Sequence, residues 1–211
     1  MKKRPKHLIK KFLLLVSVIY INSIYSDSFE YNLYNNYGIV GTIHTPSART
    51  FDEGVHGLTV YAGDPNQTVT LSASPFDWFE ASFFYTNVQD RLYCYDLTSP
   101  FCLQDFKDKG FNVKVRLKEQ GKLPAIAIGL NDFAGTGIYS SEYIVGSYGI
   151  NRTDFHFGLG FGLLDGSDLS FKNPLSHISD KFNTRPTIAA RLGGSFQPSR
   201  YFSGETASPF F

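Results

Sequence analysis

The sequence predicts an all-β fold, an antiparallel meander of about seven or eight strands that forms a transmembrane β-barrel or part of one. Three observations predict it. Apolar and polar residues alternate with period two in successive segments of roughly nine to eleven residues. No segment shows the 3.6-residue period of an amphipathic helix. The composition is 16% aromatic and 18% charged with 19 glycines, which suits strands with lipid outside and polar filler inside. A soluble β-sandwich shows the same alternation and stands as the alternative. The two differ in where the large apolar side chains point, toward lipid or into a dry core.

The elements follow in order. Residues 1–26 read as a secretory signal peptide: Lys2, Lys3, Arg4, Lys6, Lys10 and Lys11, then an apolar run from Phe12 to Ile21, then a polar exit ending at Ser26. The apolar run is too short to cross about 30 Å of hydrocarbon as a helix. No cysteine lies near the cut, so lipid attachment at that site is not expected. Removal of the leader leaves fourteen basic against nineteen acidic residues. That excludes a basic nucleic-acid surface. No later stretch is apolar enough for a membrane helix, so a membrane-embedded mature chain must cross with strands.

Residues 27–53 form a lead-in. The polar, tyrosine-rich part to Asn36 reads as mobile. Tyr37 to Phe51, with Gly38, Gly41 and Pro46, reads as an ordered loop or a segment tucked inside something. Residues 54–211 are the β-domain. Strands are expected at Gly57–Gly63, Gln67–Ser74 and Trp78–Asn87, separated by the turns Asp64-Pro65-Asn66 and Pro75-Phe76-Asp77. In the third, Phe79, Ala81, Phe83 and Tyr85 share one face, and Glu80, Ser82, Phe84 and Thr86 the other. Asp90–Lys109 is a long loop, of the kind that is external or functional. It holds Cys94 and Cys102, and in an exported protein this pair suits a short-range disulfide, two free thiols being the alternative. Further strands are expected at Gly110–Glu119, Leu123–Asn131, Tyr139–Ile150 and Thr153–Leu164. The last alternates Phe155, Phe157, Leu159, Phe161 and Leu163 with Asp154, His156 and three glycines. A final candidate is Thr187–Phe196. Pro209 disfavours a strand at the end, which reads as a chain cut short.

Four segments in fixed order resemble the YjbH family of outer-membrane β-barrel proteins associated with exopolysaccharide production. They are Gly41-Thr-Ile-His-Thr-Pro-Ser-Ala-Arg49, Lys107-Asp-Lys-Gly-Phe-Asn-Val-Lys-Val-Arg116, Gly135-Thr-Gly-Ile-Tyr-Ser-Ser-Glu-Tyr143 and the glycine–aromatic run Phe157 to Gly162. The resemblance implies a role in exporting or processing a surface polysaccharide, with no catalytic residues to carry over. It implies a longer protein than this chain. It also implies partners: outer-membrane lipid, polysaccharide and other exopolysaccharide-assembly proteins.

The candidate contact residues are Arg49, Glu80, Lys114, Arg116, Lys118 and Glu142. Lys114, Arg116 and Lys118 share one face of an alternating strand, as lumen cations that meet an anionic glycan or that neutralise Glu80, Asp132 or Glu142. Glu142 is expected inside, as a partner for Arg49 or Arg116 that holds the N-terminal segment. Trp78, Phe79, Phe83, Phe84 and Tyr85 form an interfacial girdle or stack on sugars. No catalytic carboxylate pair stands at defined spacing, no His or Cys cluster has metal-ligand spacing, and no nucleotide motif is present. A non-enzyme without cofactor or metal is the expectation.

Overall fold

The structure is a computed structural model that describes residues 32–94, 98–100, 102–166, 168–187 and 194–211. The signal-peptide expectation for residues 1–26 lies outside them. β1 (Gly41–Thr42) and β2 (Thr45–Pro46) pair as a small hairpin. Seven longer strands follow: β3 (His56–Ala62), β4 (Asn66–Phe76), β5 (Phe79–Leu92), β6 (Asp105–Lys118), β7 (Ala125–Asn131), β8 (Ser141–Ile150) and β9 (Thr153–Gly162). The short β10 (Phe171–Lys172) and β11 (Thr206–Phe210) complete a nine-stranded sheet in the order β10-β11-β9-β8-β7-β6-β5-β4-β3. All its pairings are antiparallel. The remaining ordered pieces are single 3-10 turns, such as Pro174–His177. Among the described residues no helix is long and apolar enough to cross a membrane.

Three expectations change. Pairing of β5 with β6 continues past Val88↔Phe106 to Leu92↔Asp105, so the cysteine loop shrinks to residues 93–104. The candidate strand Thr187–Phe196 lies mostly outside the described residues, and its remaining positions join no strand. Thr206–Phe210 is a strand despite Pro209, because at Ser208–Phe210 only β9 pairs with it and the missing N–H has an unpaired side to face. Phe210 also fills a gap. A Cβ at Gly158 would lie 2.2 Å from its ring, so the glycine makes room for the phenyl group.

Among the described strands β3 pairs only with β4, and no closed barrel is found among them. The sheet is strongly curled all the same. β3 and β9 lie six strand steps apart, roughly 29 Å across a flat sheet at about 4.8 Å per step. Yet Tyr61 of β3 and Leu163 just past β9 line one cavity of about 230 Å³. Loops are short at one end of the sheet, as at Asp77–Trp78 and Asn151–Arg152, and longer at the other, at residues 93–104 and 132–140.

The two faces are opposite in character. Cross-strand partners on the first are apolar and outward: Leu58↔Leu71↔Phe83↔Phe111, then Val115↔Ile128↔Ile144↔Leu159. Leu58 is 65% exposed, Val60 72%, Phe155 54% and Phe157 53%. The second face carries Thr70, Ser72, Glu80, Ser82, Asn112, Lys114 and Ser147, all buried. What buries them is residues 32–51, an N-terminal strap laid across the polar face. The small apolar core, Ile39, Ala48, Ala125, Ala127, Tyr143 and Val145, lies in the same layer. Tyr143 fits there because its ring lies over Gly129, where a Cβ would stand 2.2 Å away.

Candidate functional site

The centre of the strap contact is an ion pair. β-register places Glu80 of β5 directly opposite Lys114 of β6, and their side chains meet at 2.7 Å, both fully enclosed. A charge pair taken out of water is stable only if its remaining donors and acceptors are satisfied. Here the strap satisfies them. Lys114 Nζ donates to the carbonyls of Val40 (2.9 Å) and Arg49 (2.5 Å). Glu80 accepts the Val40 N–H at Oε2 (3.1 Å) and the Phe51 N–H at Oε1 (3.0 Å). With its bond to Glu80, all three Lys114 donors are engaged.

The strap is tied on both sides of this centre. Ser72 and Ser82 donate to the carbonyls of Gly38 and Tyr37, each at 2.6 Å, and Asn112 donates to Tyr37 as well. At the other end Ala48 N–H donates to Ser147 Oγ. Arg49 grips Asp154 of β9 with Nε and Nη2, at 2.9 and 2.8 Å, and Nη2 also reaches Gln120. One short segment thus touches β4, β5, β6, β8 and β9.

Ser147, His156 and Asp154 stand in a row that has the composition of an acyl-transfer triad. The geometry is not that of one. Ser147 is enclosed, and its oxygen already serves Ala48 N–H and His156 Nδ1 (2.8 Å). His156 Nε2 is 3.9 Å from Asp154, beyond hydrogen-bond reach. Both Asp154 oxygens are held by Arg49.

The six sequence-derived contact candidates therefore divide. Arg49, Glu80 and Lys114 converge on the strap, Lys114 neutralising Glu80 as the sequence allowed. Arg116 turns to Glu119 (2.8 Å) and Asp77 (3.8 Å) at the short-turn end. Lys118 leaves the shared face altogether. A β-bulge after Arg116 breaks the alternation and sets Lys118 opposite Ile126, exposed. Glu142 is the clearest correction. Its register partners are Leu130 and Phe161, so it belongs to the apolar face, not to the strap. There the C-terminal stretch covers it. Arg185 donates to both its oxygens at 2.7 Å, and Phe202 N–H adds a third bond at 2.9 Å. Asn173 holds that stretch in shape through the carbonyls of Phe182, Phe202 and Gly204.

Asp154 is not among the sequence candidates, although its alternation with His156 on the polar side of β9 is a signal that could have found it. Gln120 and Arg185 sit in loops and carried no periodic signal. Phe84 faces the polar side and lines the 230 Å³ cavity beside Tyr139, whereas Trp78 stacks on Phe76 at the short-turn end, ring centroids 5.3 Å apart.

Just past β7, Asp132 is buried. Burial first, and the nearby Asp108 carboxylate second, push its pKa up to about 7. Its Oδ2 accepts the Tyr139 N–H, and its Oδ1 has no hydrogen-bond partner. Cys94 and Cys102 are joined as a disulfide, eight residues apart, which closes the loop as expected. Among the described residues no group of three His, Cys, Asp or Glu could hold a metal ion.

Comparison with known proteins agrees with the sequence motifs. The family model for YjbH, described as exopolysaccharide biosynthesis protein YbjH, matches residues 33–211. The "Uncharacterized lipoprotein YjbH" of Escherichia coli (strain K12) is 36% identical over 171 residues, 81% of this chain and 24% of that protein. The chain thus spans about a quarter of the relative's length. No solved structure matches it.

Proposed function

This chain belongs to the YjbH family, and from that premise we propose that its sheet is part of the wall of an outer-membrane β-barrel that supports exopolysaccharide biosynthesis or export without catalysis. One observation carries the reading: the sheet is inside out relative to a soluble protein. Much of its apolar face is exposed, and its Glu80–Lys114 ion pair and the amide of Asn112 are buried. In water this arrangement exposes a contiguous greasy surface, which monomeric soluble proteins avoid. Against lipid it is the stable one. A glycan-binding β-sandwich would cover Phe155 and Phe157 with a second sheet, and both are more than half exposed. The E. coli relative's name, a lipoprotein, supports a cell-envelope location.

The strap fixes what the polar side does. Lys114 and Glu80 are enclosed by backbone and by each other, so they act as anchors of the strap rather than as a lining that glycan slides past. The role in this portion is that of a braced wall, with polysaccharide, lipid and other assembly proteins as partners.

Membrane fractionation of the expressed chain, read with heat-modifiability on a gel, tests this. The expected result is an outer-membrane protein with heat-dependent mobility. A soluble periplasmic protein with no shift would refute the barrel wall.

A further inference from the structure

We propose that the cavity at the long-loop end of the polar face binds a single uncharged pyranose ring. The choice of a carbohydrate rests on the exopolysaccharide reading above. The uncharged character and the hydroxyl-rich chemistry rest on the lining itself.

The cavity, about 230 Å³, opens between β3, β4 and β5 on one side and the strap on the other. That is the room of roughly seven or eight waters at about 30 Å³ each. Aromatic rings come from Tyr37, Tyr61, Phe84 and Tyr139, and polar groups are amides, hydroxyls and one imidazole; no Asp, Glu, Lys or Arg lines it. Elsewhere the polar face is anchored by the Glu80–Lys114 and Arg49–Asp154 ion pairs, so this corner, lined without charged side chains, differs in kind. An anion here would lack a counter-charge, and an apolar ligand would strand the amides. A pyranose has an apolar C–H face for the rings and a rim of hydroxyls for the amides.

Two of those amides are held ready. Tyr139 Oη donates to Asn66 Oδ1 at 2.8 Å, and the Asn66 amide nitrogen has no other partner among the described residues. Asn36 Nδ2 donates to His44 Nδ1 at 3.0 Å, which leaves the Asn36 carbonyl unengaged there. Thr68 and Thr86 bond one another at 2.7 Å and fix the floor. Groups positioned before the ligand arrives lose little entropy on binding.

The test uses the folded, detergent-solubilised chain and four methyl pyranosides: glucoside, galactoside, mannoside and N-acetylglucosaminide. Binding is read by saturation-transfer NMR, folding by circular dichroism, and barrel formation by the heat-dependent gel shift. At least one glycoside is expected to bind with Kd on the order of 1–10 mM. Asn66→Ala and the cavity-filling Thr68→Leu should each weaken it by about tenfold or more, while Lys118→Ala at the far end leaves it unchanged. If Asn66→Ala misfolds, Tyr139→Phe replaces it, since it removes one hydroxyl and releases the Asn66 amide. No binding of any glycoside by folded protein overturns the inference, and so does binding that every cavity variant leaves intact. Binding without a gel shift would uphold the cavity and refute the barrel wall, whereas a gel shift without binding would do the reverse.

Discussion

Replacing Lys114 by Met tests the strap at its centre. The substitution keeps the length of the side chain and removes the charge. Three hydrogen bonds go with it, to Glu80, to Val40 and to Arg49. Glu80 keeps its two backbone donors from Val40 and Phe51 but stays buried without a cation. Stranding one partner of an enclosed pair costs about 3–5 kcal/mol, and the Arg49 carbonyl loses this donor too, at about 1–3 kcal/mol for a fully desolvated group, whereas the Val40 carbonyl keeps the Ser47 N–H and hydroxyl. These losses overlap, so about 4–6 kcal/mol is expected for the single variant. Lys114→Met with Glu80→Gln removes both charges, and the amide still accepts a backbone N–H. The double variant should recover about 2–3 kcal/mol of the loss. Urea unfolding of the detergent-solubilised protein measures these two variants and Glu80→Gln alone, and limited proteolysis of residues 32–51 reports the strap directly. A loss below about 1 kcal/mol for Lys114→Met, or additive effects in the double variant, would show that the strap does not depend on this pair.

Other consequences can be checked alongside. Asp132 binds its proton more tightly folded than unfolded, so its contribution is full below about pH 4 and is lost as pH rises through about 7, on the order of 4 kcal/mol at about 1.36 kcal/mol per unit. Asp132→Asn should flatten that loss in unfolding curves taken from pH 4 to 9, and Asp108→Asn should shift its midpoint downward; a wild-type stability that rises over this range would contradict the assignment. Arg185→Ala removes two of the bonds to Glu142 and leaves it the Phe202 N–H and a long bond from Ser140 Oγ. It should cost about 3–5 kcal/mol and expose residues 170–205 to protease while residues 32–51 stay protected. Cys94→Ser with Cys102→Ser opens a loop of eight residues' separation and should lower unfolding stability by roughly 2–3 kcal/mol on the chain-entropy relation, with the gel shift retained.

Most of the sheet was legible because period-two patterning is a property of single strands. β5 shows it well: its faces were assigned from Phe79, Ala81, Phe83 and Tyr85 alone, and the register agrees. Where both neighbours of a residue are ambiguous, alternation assigns no face. Ser141-Glu142-Tyr143 offers a polar, an acid and an aromatic in a row, and the pairings with Leu130 and Phe161 show which way Glu142 turns. Lys118 failed for a different reason, because a bulge adds a residue that no alternation announces. Tyr37 to Phe51 reads as an ordered loop or a segment tucked inside something, yet its partners come from five strands, and such contacts leave no local trace. Pro209 was judged by an average preference that an edge position overrides.

The Arg49–Asp154 contact joins residues 105 positions apart, and this has a kinetic side. The strap is made before every strand it binds, and its full set of docking sites exists only after β9 has paired. Contacts of such long range make folding slow, because the loop between them must be closed before they contribute. Until then the open polar face of the sheet offers Glu80, Lys114 and Asn112 to water or to any passing chain. The assembling protein is therefore most vulnerable at the moment its sheet is complete, and the arrival of its oldest segment ends that interval.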